Sequence, residues 1–172
     1  MKAISTSILA SLLFALSSMT ATAADEAKPE AKPAAPSAPA ASPSARTPEQ
    51  TVEGYLKAMQ EQKFGDAYEL VSKALKAGKS KEEWSKEQQY IVQMGEVKIF
   101  GYKVFPAAVA ADGTAKVPNI LKSQDKFLNQ LGLDEYELYE LVKEDGVWKI
   151  DNQTLVEGAE RSEYFPADAV AD

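Results

Sequence analysis

The chain predicts an α+β domain with its helices first and an antiparallel meander after them. Three observations lead there. Two capping boxes, at Thr47 and Ser80, each open an amphipathic stretch. The hydrophobic period changes after Gly95, where Val, Ile, Phe and Tyr become dense. Asp112-Gly113 and Asp145-Gly146 then stand between apolar runs, where both residues tolerate the positive φ of a hairpin turn.

Thr47 can cap a first helix, with Pro48 at its first position and Gln50 completing the box. Val52, Tyr55, Leu56 and Met59 recur on one face of it. Asp66 is read as the cap of a second helix, with Leu70, Val71, Ala74 and Leu75 as its stripe and Gly78 as its close. Ser80 and Glu83 open a third, which carries Trp84, Ile91 and Met94 inward and ends at Gly95. Residues 96–109 read as one strand and 115–121 as its return. Pro118 demotes that return to an edge or a bulge, because proline lacks an N–H for the ladder. Residues 123–131 look locally helical, with Phe127, Leu128 and Leu131 on one side and Gly132 as a stop. Strands over 136–143 and 147–152 close the meander, with Trp148 in the core.

Ahead of this domain, Lys2, the apolar run Ile8 to Leu16 and the small residues Ala21 and Ala23 stand in the order of a cleavable export signal. Residues 1–23 are therefore expected to be removed between Ala23 and Ala24. The apolar run is too short for a membrane span, which needs about 20 apolar residues. Residues 24–46 are rich in Ala, Pro and Ser and are expected to form a disordered linker. The domain itself is placed at 47–157, with an acidic flexible tail at 158–172. A periplasmic or secreted soluble protein is the expectation. With no Cys in the chain, a lipid anchor, disulfides and thiol chemistry are excluded.

The whole chain has a net charge of -7, and residues 1–46 carry +1, which leaves -8 on the remainder. That repels nucleic acid and anionic membrane surfaces. There is also no His, which removes the commonest general base and metal ligand at neutral pH. No calcium loop, phosphate loop or serine elbow is present, and neither a metal nor a cofactor is expected.

The segment TPEQTVEGYLKAMQEQKFGDAYELVS, at 47–72, and a meander ending in ELVKEDGVWKID, at 140–151, resemble the nuclear-transport-factor-two-like (cystatin-like) superfamily. More narrowly they are similar to small exported bacterial domains of that superfamily without an assigned function. The resemblance covers 47–153 and implies helices packed on a curved, cone-like antiparallel sheet. Residues 119–135 depart from it, and their expected helix would sit at the mouth of the cone. Enzymes of this fold pair a buried carboxylate with a tyrosine. That makes Tyr55, Tyr68, Tyr102 and Tyr139 the pocket candidates, with Tyr136, Asp66 and Glu140 also in reach of such chemistry. No catalytic motif maps onto them: Asp66 reads as a cap and Glu140 as a solvated edge. The leading expectation is a non-catalytic module that binds a small apolar ligand or an envelope protein. The alternatives are a cone-pocket isomerase or dehydratase using a carboxylate and a tyrosine, and a structural domain that forms a homodimer through its sheet.

Overall fold

The computed structural model describes residues 46–170; the export signal with Ala23 and Ala24, and the linker as far as residue 45, lie outside the described residues. Helix α1 spans Pro48–Gln60 and starts as its sequence requires: Thr47 Oγ1 accepts from the Gln50 N–H, and Gln50 Oε1 accepts from the Thr47 N–H. Its inner face buries Val52, Tyr55, Leu56 and Met59. Helix α2 (Phe64–Tyr68) and helix α3 (Lys73–Lys76) follow, where the sequence suggests one continuous helix. The break has a cause. Val71 leaves the helical path to bridge Ile150, so that Ser72 N–H donates to the Ile150 carbonyl and Ile150 N–H to the Leu70 carbonyl. Asp66 is accordingly not a cap; it lies inside α2, which Lys63 precedes without a side-chain capping bond.

Helix α4, Lys81–Gly95, has the expected box between Ser80 and Glu83. Trp84 and Ile91 are buried as its periodicity predicts, whereas Met94 is exposed because it falls on the outer face beside Tyr90. After it come β1 (Lys98–Val104), β2 (Ala108–Val109), β3 (Ala115–Gln124), β4 (Asp134–Glu144) and β5 (Val147–Leu155). The sheet is antiparallel in the order β1-β3-β4-β5, and β2 also pairs with β3. Asp145 and Gly146 both take positive φ at the β4–β5 turn, as an Asp-Gly hairpin demands.

Pro118 is the main surprise of the sheet. It sits in β3, which is an interior strand and not an edge. Its carbonyl accepts from Phe105 N–H, just past the end of β1. The missing proline N–H therefore faces the gap between β1 and β2, where no ladder partner waits. The expected single strand over 96–109 is split at that same gap.

Both faces of the sheet are covered, so β3 and β4 lack a clean alternation of exposed and buried residues. The helix-facing side packs Val52, Leu56, Trp84, Val117, Leu121, Tyr139, Leu141, Trp148 and Ile150 into one cluster. On the other side Ile120, Tyr136, Leu138 and Phe105 meet Val156 and Phe165. Residues 158–170 are thus folded, where the sequence suggests a flexible tail over 158–172. A 3-10 turn at Gly158–Glu160, helix α5 (Arg161–Tyr164) and helix α6 (Ala167–Val170) bring Phe165 edge-on to Phe105 and Tyr136. Tyr136 O–H also donates to the Ala169 carbonyl at 2.7 Å. Among the described residues no helix is long and apolar enough to cross a membrane.

Candidate functional site

On the helix-facing side of β4 the alternation points Glu135, Glu137 and Tyr139 inward together. Glu137 is the residue that sequence reasoning missed. It is 1% exposed and lies directly opposite Asn119 of β3. Asn119 Nδ2 donates to its Oε2 at 2.7 Å, and Gln153 Nε2, from β5, donates to its Oε1 at 2.7 Å. Tyr139 O–H adds a longer bond of 3.3 Å to Oε2. Burial pushes the Glu137 carboxyl up to about 7, and the nearby charge of Glu135 adds to this; the three hydrogen bonds pull the other way. The register was readable: in YELYEL, Glu137 shares a parity with Tyr139, while the Glu140 considered instead has the other.

The four tyrosine candidates separate. Tyr55, from α1, meets Tyr139 edge-on at 6.0 Å between ring centroids, so these two share the site. Burial and the Glu137 charge push both phenols well above their ordinary range. Tyr68 stands elsewhere: it packs on Trp84 and donates to the Lys79 carbonyl. Tyr102, on the edge strand β1, is half-buried across from Leu121; burial, then the charges of Glu53 and Glu61, raise its phenol. Tyr136 belongs to the opposite face, Asp66 to α2, and Glu140 sits on that outer side near Lys116 and Asn152.

This arrangement is a polar clasp across three strands. Both Glu137 oxygens already accept hydrogen bonds from protein groups, and the surroundings are closed to solvent. A general base needs a lone pair aimed at a substrate proton; here the oxygens are aimed at Asn119, Gln153 and Tyr139. Among the described residues no group of three or more carboxylates gathers as metal ligands would.

A second feature lies at the end of the same sheet. Residues 125–133 join β3 to β4 as a loop, not the helix expected there. Asp125 is buried and takes over the backbone: its Oδ1 accepts from the N–H groups of Phe127 and Leu128, and its Oδ2 from that of Asn129. A side chain that competes for these amides denies them to a helix. Asn129, also buried, closes the base: its Nδ2 donates to the carbonyls of Ser123 and Leu133, and its Oδ1 accepts from Leu133 N–H. Lys126 N–H bonds the Gly95 carbonyl at the end of α4. The loop is thus anchored internally, yet Phe127, Leu128, Leu131 and Leu133 are 52%, 67%, 83% and 64% exposed. They do not plug a cone. The cleft at their base is polar, lined by Glu96, Lys98, Gln124, Asp125, Lys126 and Gln130.

Asn129→Ala should cost about 2 kcal/mol, since it removes three hydrogen bonds and leaves two carbonyls and an N–H unmatched near the loop base. Urea unfolding measures it. A loss under about 0.5 kcal/mol would mean that the loop is not anchored as described.

No protein-family model and no curated protein matches the sequence. Among solved structures the chain is similar to a domain of unknown function with a cystatin-like fold from Nostoc punctiforme: identity is 14% and the TM-score 0.48, over 70% of this chain and 86% of that one. It is also similar to an NTF2-like protein of unknown function from Cytophaga hutchinsonii, at 12% identity and a TM-score of 0.39, over 64% and 88% of the two chains. A third similar structure is Bd1075 of Bdellovibrio bacteriovorus, at 12% identity and a TM-score of 0.43; the match takes in 63% of this chain but only 38% of that one.

Proposed function

We propose that this chain is an exported, non-catalytic interaction module that docks an envelope protein through the loop between β3 and β4. One observation carries the reading: a loop anchored by the buried side chains of Asp125 and Asn129 holds four large apolar side chains in solvent. Large apolar side chains held exposed together on one loop are the kind of surface that marks interaction sites. Anchoring the loop beforehand lowers the ordering cost of binding. The acidic balance of the domain speaks against nucleic acid and anionic lipid as the partner. Export is inferred from the leader pattern ahead of the linker. The catalytic alternative loses ground because Glu137, the carboxylate it would use, is closed off and engaged by Asn119, Gln153 and Tyr139.

The test is a photo-crosslinking side chain placed at Leu131 in the full chain, in the cells that make it. One discrete adduct is expected, absent when the crosslinker stands instead at Asp112 in the exposed turn after β2. The same adducts from both positions, or none from Leu131, would contradict the docking reading.

A further inference from the structure

A second cleft, of about 270 Å³, opens where the end of α1, the end of α4 and the start of β1 meet. Its apolar lining is Met59, Val92, Val97, Ile99 and Phe100. Three local features build it. Gln60 Nε2 donates to the Ile99 carbonyl at 3.2 Å, which ties the end of α1 to β1. Val97, just before β1, turns back on α4, and its N–H donates to the Val92 carbonyl. Gly95 leaves it the room, since a Cβ there would stand 2.9 Å from Val97 Cγ2. The register of β1 against β3 then shifts between Ile99 and Gly101, and Phe100 is the extra residue of that bulge. Bulges re-aim side chains, and Phe100 forms a wall of the cleft while 61% exposed.

Among the described residues that line this cleft, Lys98 carries the one charge. It also lines the polar cleft at the loop base, so it stands where the two meet. The acids around it are engaged by other lysines. Glu96, which shares the polar cleft, pairs with Lys126 at 3.4 Å, and Glu61, between the lining residues Gln60 and Gln62, pairs with Lys63 at 2.7 Å. Lys98 has no ion pair among the described residues. An apolar trough with one unmatched cation at its edge complements a molecule with an apolar body and one anionic end. We propose that this cleft binds a small free aliphatic carboxylate, its chain against Met59, Val97, Ile99 and Phe100 and its carboxylate on Lys98. Small-molecule sites begin near about 300 Å³, so a cleft of this size takes a short chain. The inference does not depend on the docking reading, which concerns the loop between β3 and β4.

Sodium octanoate titrated into the full chain at pH 7, followed by amide chemical shifts, tests it. The amides of Gln62, Val97, Ile99 and Phe100 should move together along one saturable curve. Sodium acetate keeps the head without the chain, and octylammonium chloride keeps the chain with the opposite charge; each should bind at least about tenfold more weakly. Lys98→Glu turns the attraction into repulsion and should weaken octanoate about tenfold. Phe100→Ala removes a wall and should weaken it about fivefold. Both side chains are exposed, so both variants should keep the fold. No saturable shift with octanoate overturns the site. Octylammonium binding as tightly as octanoate, or octanoate unaffected by Lys98→Glu, overturns the carboxylate on Lys98. Acetate binding as tightly as octanoate, or Phe100→Ala without effect, overturns the apolar cleft as its seat.

Discussion

Glu137→Gln is expected to stabilise the protein at pH 8 by up to about 3 kcal/mol and to flatten its stability between about pH 5 and pH 7.5. The carboxyl titrates at about 7 in the fold against an ordinary 4.5. At about 1.4 kcal/mol for each pH unit of separation, holding it ionised in the fold costs on the order of 3 kcal/mol. The sign follows from the raised value. Below the ordinary value both folded and unfolded chains carry the proton and the contribution is fully present. It is lost as pH rises to about 7, because the unfolded chain releases its proton first. The exposed carboxyls of Glu61, Glu83 and Asp112 are shifted downward, so their loss on acidification lies below this window. The glutamine amide keeps a carbonyl for one of the present donors and carries no charge to desolvate. Urea unfolding of both proteins at several pH values is the measurement. An unaltered chain more stable at pH 8 than at pH 5.5, with the glutamine variant weaker at pH 8, would mean that the ionised clasp is a net gain.

Phe165→Ala is expected to cost about 3 kcal/mol, the usual loss for a buried phenylalanine whose space stays empty. Phe165 is buried between Phe105 at 5.4 Å and Tyr136 at 5.1 Å, both edge-on. It closes the outer face of the sheet, which the segment 158–170 covers. Denaturant unfolding gives the number. A change within about 0.5 kcal/mol would return this segment to the loose tail suggested by its acidic composition.

Local chemistry explains which elements could be read in advance. The boxes at Thr47 and Ser80 and the Asp145-Gly146 turn use bonds within a few residues, and they form as read. Elements fixed by distant partners could not be read this way. The stripe through Leu70, Val71 and Leu75 has helical spacing, but Val71 is claimed by Ile150. Phe127, Leu128 and Leu131 mimic a helical face, yet Asp125 captures the amides that a helix would need. The tail carries too few apolar residues to form a core of its own; Phe165 is buried because Phe105 and Tyr136 wait on the sheet. Of the four tyrosines named as pocket candidates, Tyr55 and Tyr139 pack together in the core, while Tyr68 and Tyr102 go to other surroundings. Glu137 escaped because its burial depends on Asn119 and Gln153 arriving from two other strands.

The central claim is that the apolar loop exists for a partner and not for the fold. Replacing Leu128 and Leu131 together by Asp, with the crosslinker moved to Phe127, tests it most directly when the unfolding midpoint and the adduct are read side by side. The account predicts a midpoint within about 3 °C of the unaltered chain, since exposed side chains contribute little to stability, and an adduct that disappears. A midpoint that collapses, or an adduct that persists, would contradict it.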